Sequence, residues 1–473
     1  MTELLRSTSP ADPRDEIGHF PVADAAAVDA AVARARRALP AWRTAAFEER
    51  AKPLRRFRDL AAEGAEPLAR LIAREMGKAL WDARGEAALL PAKVDATLAD
   101  GMRLVAPLEA GPGARTSVHP RGVLAVLGPF NFPAHLPNGH IVPALATGNT
   151  VVLKPSEETP GVAEWMAALW RRAGLPEGVL EIVHGAAETG RALALHPNVD
   201  GVLFTGSWAV GRALAEATLD QPGKILALEL GGSNPVIVLD DADLELAVAE
   251  TALSIAATTG QRCSCARRLF VHHAVIDSFS ERLVRVLRGV RIGAPLEEGV
   301  FMGPLVSLRA ADSLRRWRRA TREAGGERIL DADPALPPPF VGPGLVRYSD
   351  TRQRHPAQRE EIFGPEAALY AIDDLEHAIT AANDSDYGLV ASVFTRDRAR
   401  YERCVGRVAT GLLNWNRGTI GASGRLPFGG LRRSGNHRPA GIFSTLYCSF
   451  HQAHLESAAG LDPAKLPPGI PRP

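Results

Sequence analysis

An α/β fold built on two parallel sheets is predicted by three observations. Short β-rich runs (VLAVLG, TVVLK, VLEIV, GVLFTG and KILALEL) alternate with helix-length segments after Gly122, the signature of parallel strands joined by crossover helices. A second block of the same kind opens near Asn234 with PVIVLDDADLELAVAETALSIA. The third is size: 473 residues, 46% of them apolar, exceed one ordinary core and predict two or three packed domains.

Ahead of these blocks the chain reads as helix. From Ala25 to Leu39, the residues Val28, Val32, Ala35 and Leu39 share one helical face behind Asp24, a suitable N-cap. Helical patterning continues from Glu48 to about Arg74 and from Asp82 to Leu98. The boundary between the two α/β blocks is expected close to Gly232. DADPALPPPFVGPG, Asp331 to Gly344, reads as a surface loop within the second block, since proline donates no ladder hydrogen bond. Beyond Gly460, LDPAKLPPGIPRP is expected to hold little regular structure, and no internal repeat is evident.

Charge and cysteine content exclude several classes. With 55 basic and 54 acidic residues the net charge is +1, which gives no electrostatic case for nucleic acid or an anionic membrane. No run approaches the ~18 apolar residues that span a bilayer, and MTELLRSTSPADPRDE lacks the apolar centre of a signal peptide. Four cysteines, Cys263, Cys265, Cys404 and Cys448, are too few for a disulfide scaffold and point to a reducing, cytoplasmic setting.

The chemistry gathers around GQRCSCARR, Gly260 to Arg268, whose Cys263 lies 34 residues after Glu229 of LELGG. A thiol becomes a useful nucleophile as thiolate, and Arg262, Arg267 and Arg268 would favour the anion if they turn inward. A buried structural cysteine is the bland alternative. Cys265 completes a Cys-x-Cys pair, but no second pair stands at zinc-site spacing, so no metal is expected. Glu229 ends the apolar run ILALELGG, where desolvation would raise its pKa into the range of a general base; a solvated or paired charge is the ordinary reading of such a residue.

Upstream, GPFNFPAHLPNGH holds Asn131 in a loop after a strand, either as an oxyanion donor or as a turn-forming asparagine. LKPSEETP supplies Lys154, Ser156 and Glu157. In FTGSWAVG, Gly206 and Ser207 lead into a helix that includes Gly211, a natural seat for pyrophosphate or simply a turn. EEIFGPEAALY and NWNRGTIGASGRLPFGGLRRSGNHRPAG are rich in glycine and aromatics, as loops near a ligand or plain surface connections would be.

Taken in order, GPFNFP, KPSEETP, FTGS, LELGG, GQRC, EIFGP and PFGG resemble the NAD(P)-dependent aldehyde dehydrogenase superfamily from about residue 20 to 457. FNFPAHLPNGHIVPAL, GQRCSCARR, NWNRGTIGAS and SGNHRPAG are most similar to the succinylglutamate-semialdehyde dehydrogenases within it. The resemblance implies Cys263 as nucleophile, Glu229 as general base and Asn131 as oxyanion donor with the Cys263 N–H. It implies cofactor contacts from Lys154 and Glu157 at the adenosine ribose, with Ser156 also cofactor-binding, from Gly206, Ser207 and Gly211 at the pyrophosphate, and from Glu361 and Phe363 at the nicotinamide half. Glu157 would repel a 2′-phosphate, so NAD is expected, with NADP possible.

By the same resemblance the chain divides into an NAD-binding domain (1–102 and 122–232), a catalytic domain (233–430) and a small β oligomerisation element (103–121 and 442–457). The last combines a hairpin with the strand-like STLYCSF, Ser444 to Phe450, and implies a homodimer or homotetramer. The partner is a small-molecule aldehyde. Arg262 and Arg438 are candidates for gripping substrate carboxylates, with a solvated surface arginine as the alternative for each. Trp208, Arg425, Arg432 and Arg433 depart from the family pattern and leave the substrate less defined than the chemistry. A dehydrogenase for another acidic semialdehyde, a CoA-acylating enzyme and a non-catalytic protein on the same fold are the competing readings.

Overall fold

The computed structural model describes residues 3–351, 355–457, 460, 462, 464 and 466–470. The tail discussed above therefore lies partly outside the described residues. Helix Ala25–Thr44 begins where Asp24 accepts the Ala27 N–H at 2.8 Å, and it buries Val28, Val32, Ala35 and Leu39 as their spacing dictates. The single helix expected from Glu48 to Arg74 is two helices, Phe47–Glu63 and Ala65–Met76, broken at Gly64. A Cβ at Gly64 would stand 2.8 Å from the Trp165 ring, so the close approach of that ring requires glycine. Helix Leu80–Ala96 follows Gly77, whose φ of 83° closes the preceding helix.

Five parallel strands form the first sheet, in the order Leu180–Ile182, Thr150–Lys154, Val123–Leu127, Gly201–Thr205, Ile225–Glu229. Helices cover both faces, which is why the central strands are apolar throughout. Alternate side chains of Val123–Leu127 serve different cores: Leu124 and Val126 face one, Val123, Ala125 and Leu127 the other.

From Glu229 the chain crosses through Leu230–Ser233 into Asn234–Val238, an inner strand of a seven-stranded sheet. That sheet runs Glu327–Asp331, Gly344–Tyr348, Glu366–Ile372, Ala266–His272, Asn234–Val238, Val390–Phe394, Leu412–Trp415, and only the edge strand Glu327–Asp331 is antiparallel. The Pro-rich loop connects Glu327–Asp331 to Gly344–Tyr348.

A third, antiparallel sheet joins Ser449–Leu455, Ala114–Pro120 and Glu109–Gly111. Here the expectation of a strand through STLYCSF is corrected. Ser444–Tyr447 is a helical turn and the strand starts at Ser449. One turn of helix directs Ser444, Thr445 and Tyr447 inward together, with the Thr445 hydroxyl donating to Gly101 O at 2.8 Å and Tyr447 OH 2.8 Å from His140 Nδ1. An extended segment would have turned alternate side chains away. Among the described residues no helix is long and apolar enough to cross a membrane.

Candidate active site

The carboxyl ends of the first sheet's strands open onto one cavity of about 550 Å³, where ligands bind in open parallel sheets. Val123–Leu127 delivers Asn131, Thr150–Lys154 delivers Ser156 and Glu157, Gly201–Thr205 delivers Gly206 and Ser207, and Ile225–Glu229 ends in Glu229 itself. The second sheet's connections supply Cys263, Glu361 and Phe363 from the opposite wall. Lys154 and Gly211 are not part of the wall. Lys154 is 8% exposed and pairs with Glu157 at 3.3 Å, while Gly211 lets the helix Trp208–Ala217 pack directly on Leu230.

LELGG is shaped by what passes it. A side chain at Gly231 would strike the Glu361 carboxylate, and one at Gly232 would strike the Cys263 carbonyl. Gly232 N–H donates to Glu361 Oε1 at 3.0 Å, and Asn234 Nδ2 donates to Cys263 O at 2.7 Å. The two glycines thereby bring the candidate base, the candidate nucleophile and Glu361 to one spot. Thr258 and Thr259, at φ of 53° and 54°, turn the chain sharply ahead of Cys263, a left-handed strain held by surrounding contacts. Asn131 Nδ2 donates to Gln261 O at 2.8 Å, which aims the amide at the Cys263 loop and leaves its second N–H for another acceptor.

Burial governs the titration of the acids here. Glu229 is 5% exposed, its Oε2 has no hydrogen-bond partner, and desolvation pushes its carboxyl well above the usual carboxylate range. Burial likewise pushes Glu361 up to about 7. The Cys263 thiol is raised by burial first and by the nearby Glu361 and Glu229 carboxyls second. Of the three arginines expected to help, Arg262 pulls the thiol down but is outweighed by burial and the two carboxyls. Arg267 donates to the carbonyls of Gly364 and Glu366, and Arg268 to those of Ser233, Ala381 and Ala382, so both guanidinia tie backbone segments together. Such carbonyls in the interior need donors, and these two side chains supply them.

Arg262 is neither a surface residue nor a free carboxylate grip. Its Nη2 donates to Asp82 at 2.6 Å and its Nε to Thr258 Oγ1 at 2.7 Å. Arg438 is exposed and lines a second cavity of about 240 Å³ together with His437, Gly429 and Glu229. Glu229 thus borders a cavity on each side, which the glycines of PFGG and SGNH make room for and which sequence patterning did not expose. The departures from the family pattern are surface contacts: Arg425 lies 3.5 Å from Asp100, Arg433 pairs with Asp386 at 3.0 Å and overlies Trp208, and Arg432 donates to Asn383 O at 2.7 Å. Among the described residues no group of three His, Cys, Asp or Glu side chains is placed to hold a metal ion.

A model of the aldehyde dehydrogenase family matches residues 2–450. The chain belongs to that family. The dehydrogenase is 42% identical to an N-succinylglutamate 5-semialdehyde dehydrogenase of Chromobacterium violaceum, across 99% of this chain and 96% of that protein. Its fold is similar to that of an NAD-dependent aldehyde dehydrogenase from Sinorhizobium meliloti, with a TM-score of 0.92 at 30% identity over 97% of this chain and 93% of the other. It is also similar to an NADP-dependent enzyme of E. coli, with a TM-score of 0.90 at 34% identity over 95% and 94%. The dehydrogenase is an oxidoreductase acting on aldehydes with a nicotinamide dinucleotide.

Proposed function

We propose that this dehydrogenase oxidises an amino-acid-derived semialdehyde to its carboxylate in arginine catabolism, and that the substrate is N-succinyl-L-glutamate 5-semialdehyde, the compound for which its relatives are named. The observation that carries the chemistry is the meeting of Cys263, Asn131 and Glu229 on one cavity between two sheets.

The cavity also suits a dinucleotide. Ser207 caps a ten-residue helix whose N-terminal N–H groups favour a pyrophosphate, Glu157 suits a ribose diol, and Glu361 and Phe363 flank the end near Cys263. When bound, the nicotinamide accepts a hydride. A carboxylate at Glu157 disfavours a 2′-phosphate, which supports NAD as the preferred form.

The Cys263 thiol loses its proton to Glu229 and attacks the aldehyde carbon, giving a thiohemiacetal. Its oxyanion takes the free N–H of Asn131 and the Cys263 backbone N–H. Loss of hydride leaves a thioester on Cys263. Glu229 gives that proton up to solvent through the cavity and, a carboxylate again, takes a proton from water as that water attacks the thioester; the tetrahedral intermediate expels the Cys263 sulfur, which regains a proton from Glu229 as the acid departs. The second cavity beside Glu229 gives that carboxyl a neighbour space away from the thiol.

We divide the dehydrogenase into a cofactor domain (1–102 and 122–232), a catalytic domain (233–430) and an oligomerisation element (103–121 and 442–457). The edge strand Ser449–Leu455 supports a homodimer or homotetramer, because it pairs with Ala114–Pro120 on one side only and carries Leu455 90% exposed. Four unpaired cysteines support a cytoplasmic location. The deciding experiment is a screen of the purified protein against succinylated and unmodified semialdehydes with NAD and NADP. The highest kcat/KM for succinylglutamate semialdehyde with NAD is expected, and a higher value for a neutral aldehyde would overturn the substrate assignment.

A further inference from the structure

Two carboxylates one turn apart on the helix Leu80–Ala96 hold the segments next to Cys263 and next to Asn131, respectively. Asp82 Oδ1 accepts from Arg262 at 2.6 Å and Asp82 Oδ2 from the Thr258 hydroxyl at 2.5 Å, so it grips the strained turn and the residue immediately ahead of Cys263. Glu86 Oε1 accepts the backbone N–H groups of Ala134 at 2.9 Å and His135 at 3.0 Å, which start the helix directly after the Asn131 loop. Lys78 donates to Glu86 Oε2 at 2.5 Å, and its Nζ lies 3.6 Å from the centre of the Phe132 ring. The Arg262 guanidinium lies 5.0 Å from the same ring, which neighbours Asn131.

All four charged groups are withdrawn from solvent: Lys78 and Glu86 have fully buried side chains, Asp82 is 4% and Arg262 13% exposed. Burial opposes ionisation of Asp82, yet Lys78 and Arg262 hold its carboxyl below the usual range. Buried charge of this kind is weak support for stability, since apolar replacements of similar volume do as well. What it supplies is geometry, because each hydrogen bond is directional and each partner lies on a different segment.

We propose that Asp82 and Glu86 are positioning residues that set the Cys263 loop in register with the Asn131 loop. The inference rests on the roles proposed above for Cys263 and Asn131. Neither acid lines the cavity, so both act through Arg262, Thr258 and the backbone. Register matters because the oxyanion forms on the carbon that Cys263 attacks and must fall within reach of the Asn131 amide.

The test is a cycle of Asp82→Asn and Asn131→Ala, read as the rate constant of the first-turnover NADH burst. Burst amplitude reports the active fraction, so a loss of fold lowers amplitude while a loss of register lowers the rate constant. Asp82→Asn is expected to slow the burst by about tenfold to a hundredfold with NAD affinity unchanged, and to add little once Asn131 is alanine. Should Asp82→Asn fail to fold, Thr258→Val removes the shared hydroxyl with the shape retained and enters the same cycle. A burst slowed by Asn131→Ala but untouched by the Asp82 or Thr258 change would overturn the register proposal alone. Losses that multiply would do so too. An unchanged burst in Asn131→Ala would instead overturn the oxyanion role on which it rests.

Discussion

At the level of single residues, the site is dominated by acids and a thiol held out of water. Because burial and two neighbouring carboxyls raise the Cys263 thiol, the free enzyme holds it protonated near neutrality. Alkylation of Cys263 by iodoacetamide in the cofactor-free protein is therefore expected to accelerate steadily up to pH 9. A plateau near pH 7 would contradict this. Glu361, pushed up to about 7, binds its proton more tightly folded than unfolded, so the stability it contributes falls as pH rises from its ordinary value through about 7. Glu361→Gln removes that loss. Its Tm relative to the unsubstituted protein should rise between pH 5 and pH 7 and then level off, whereas a constant difference would refute the assignment. The sequence made Cys263, Glu229 and Asn131 legible as candidates because motif order carries them. It could not show where Arg262, Arg267 and Arg268 turn, since a guanidinium on a six-atom reach finds partners set by tertiary packing.

Elements were legible to different degrees for reasons that lie in what each packs against. The helix at Ala25 was readable because one apolar face and an N-cap are local properties. The break at Gly64 was not, because its cause is the distant Trp165 ring, and the helical turn at Ser444–Tyr447 was missed because Gly101 and His140 decide it. The same dependence on remote partners explains LELGG, whose glycines answer to Glu361 and Cys263. Gly232→Ala should cost about a hundredfold in kcat while the far-ultraviolet circular dichroism stays unchanged, since the new methyl displaces the Cys263 carbonyl rather than the sheet. Activity within a factor of two or so would show that the loop yields at little expense.

For the whole molecule, two sheets place their strand ends against each other, and the cavity exists only where they meet. Alternating β and α runs predicted both sheets, and a short segment, residues 230–233, joins them. The helix Leu80–Ala96 read as unremarkable patterning, although Asp82 and Glu86 on it hold the segments beside both walls, because their partners lie about 50 and 180 residues away. If the edge strand Ser449–Leu455 joins subunits, Leu455→Asp should shift the protein toward monomer in light scattering, and an unaltered mass would locate the interface elsewhere. The central claim is that a thioester on Cys263 is released by Glu229. Intact-protein and peptide mass spectrometry of Glu229→Gln, incubated with NAD and succinylglutamate semialdehyde, tests it most directly. An acyl adduct accumulating on the Cys263 peptide is predicted, and an unmodified Cys263 in a variant that still turns over would contradict the mechanism.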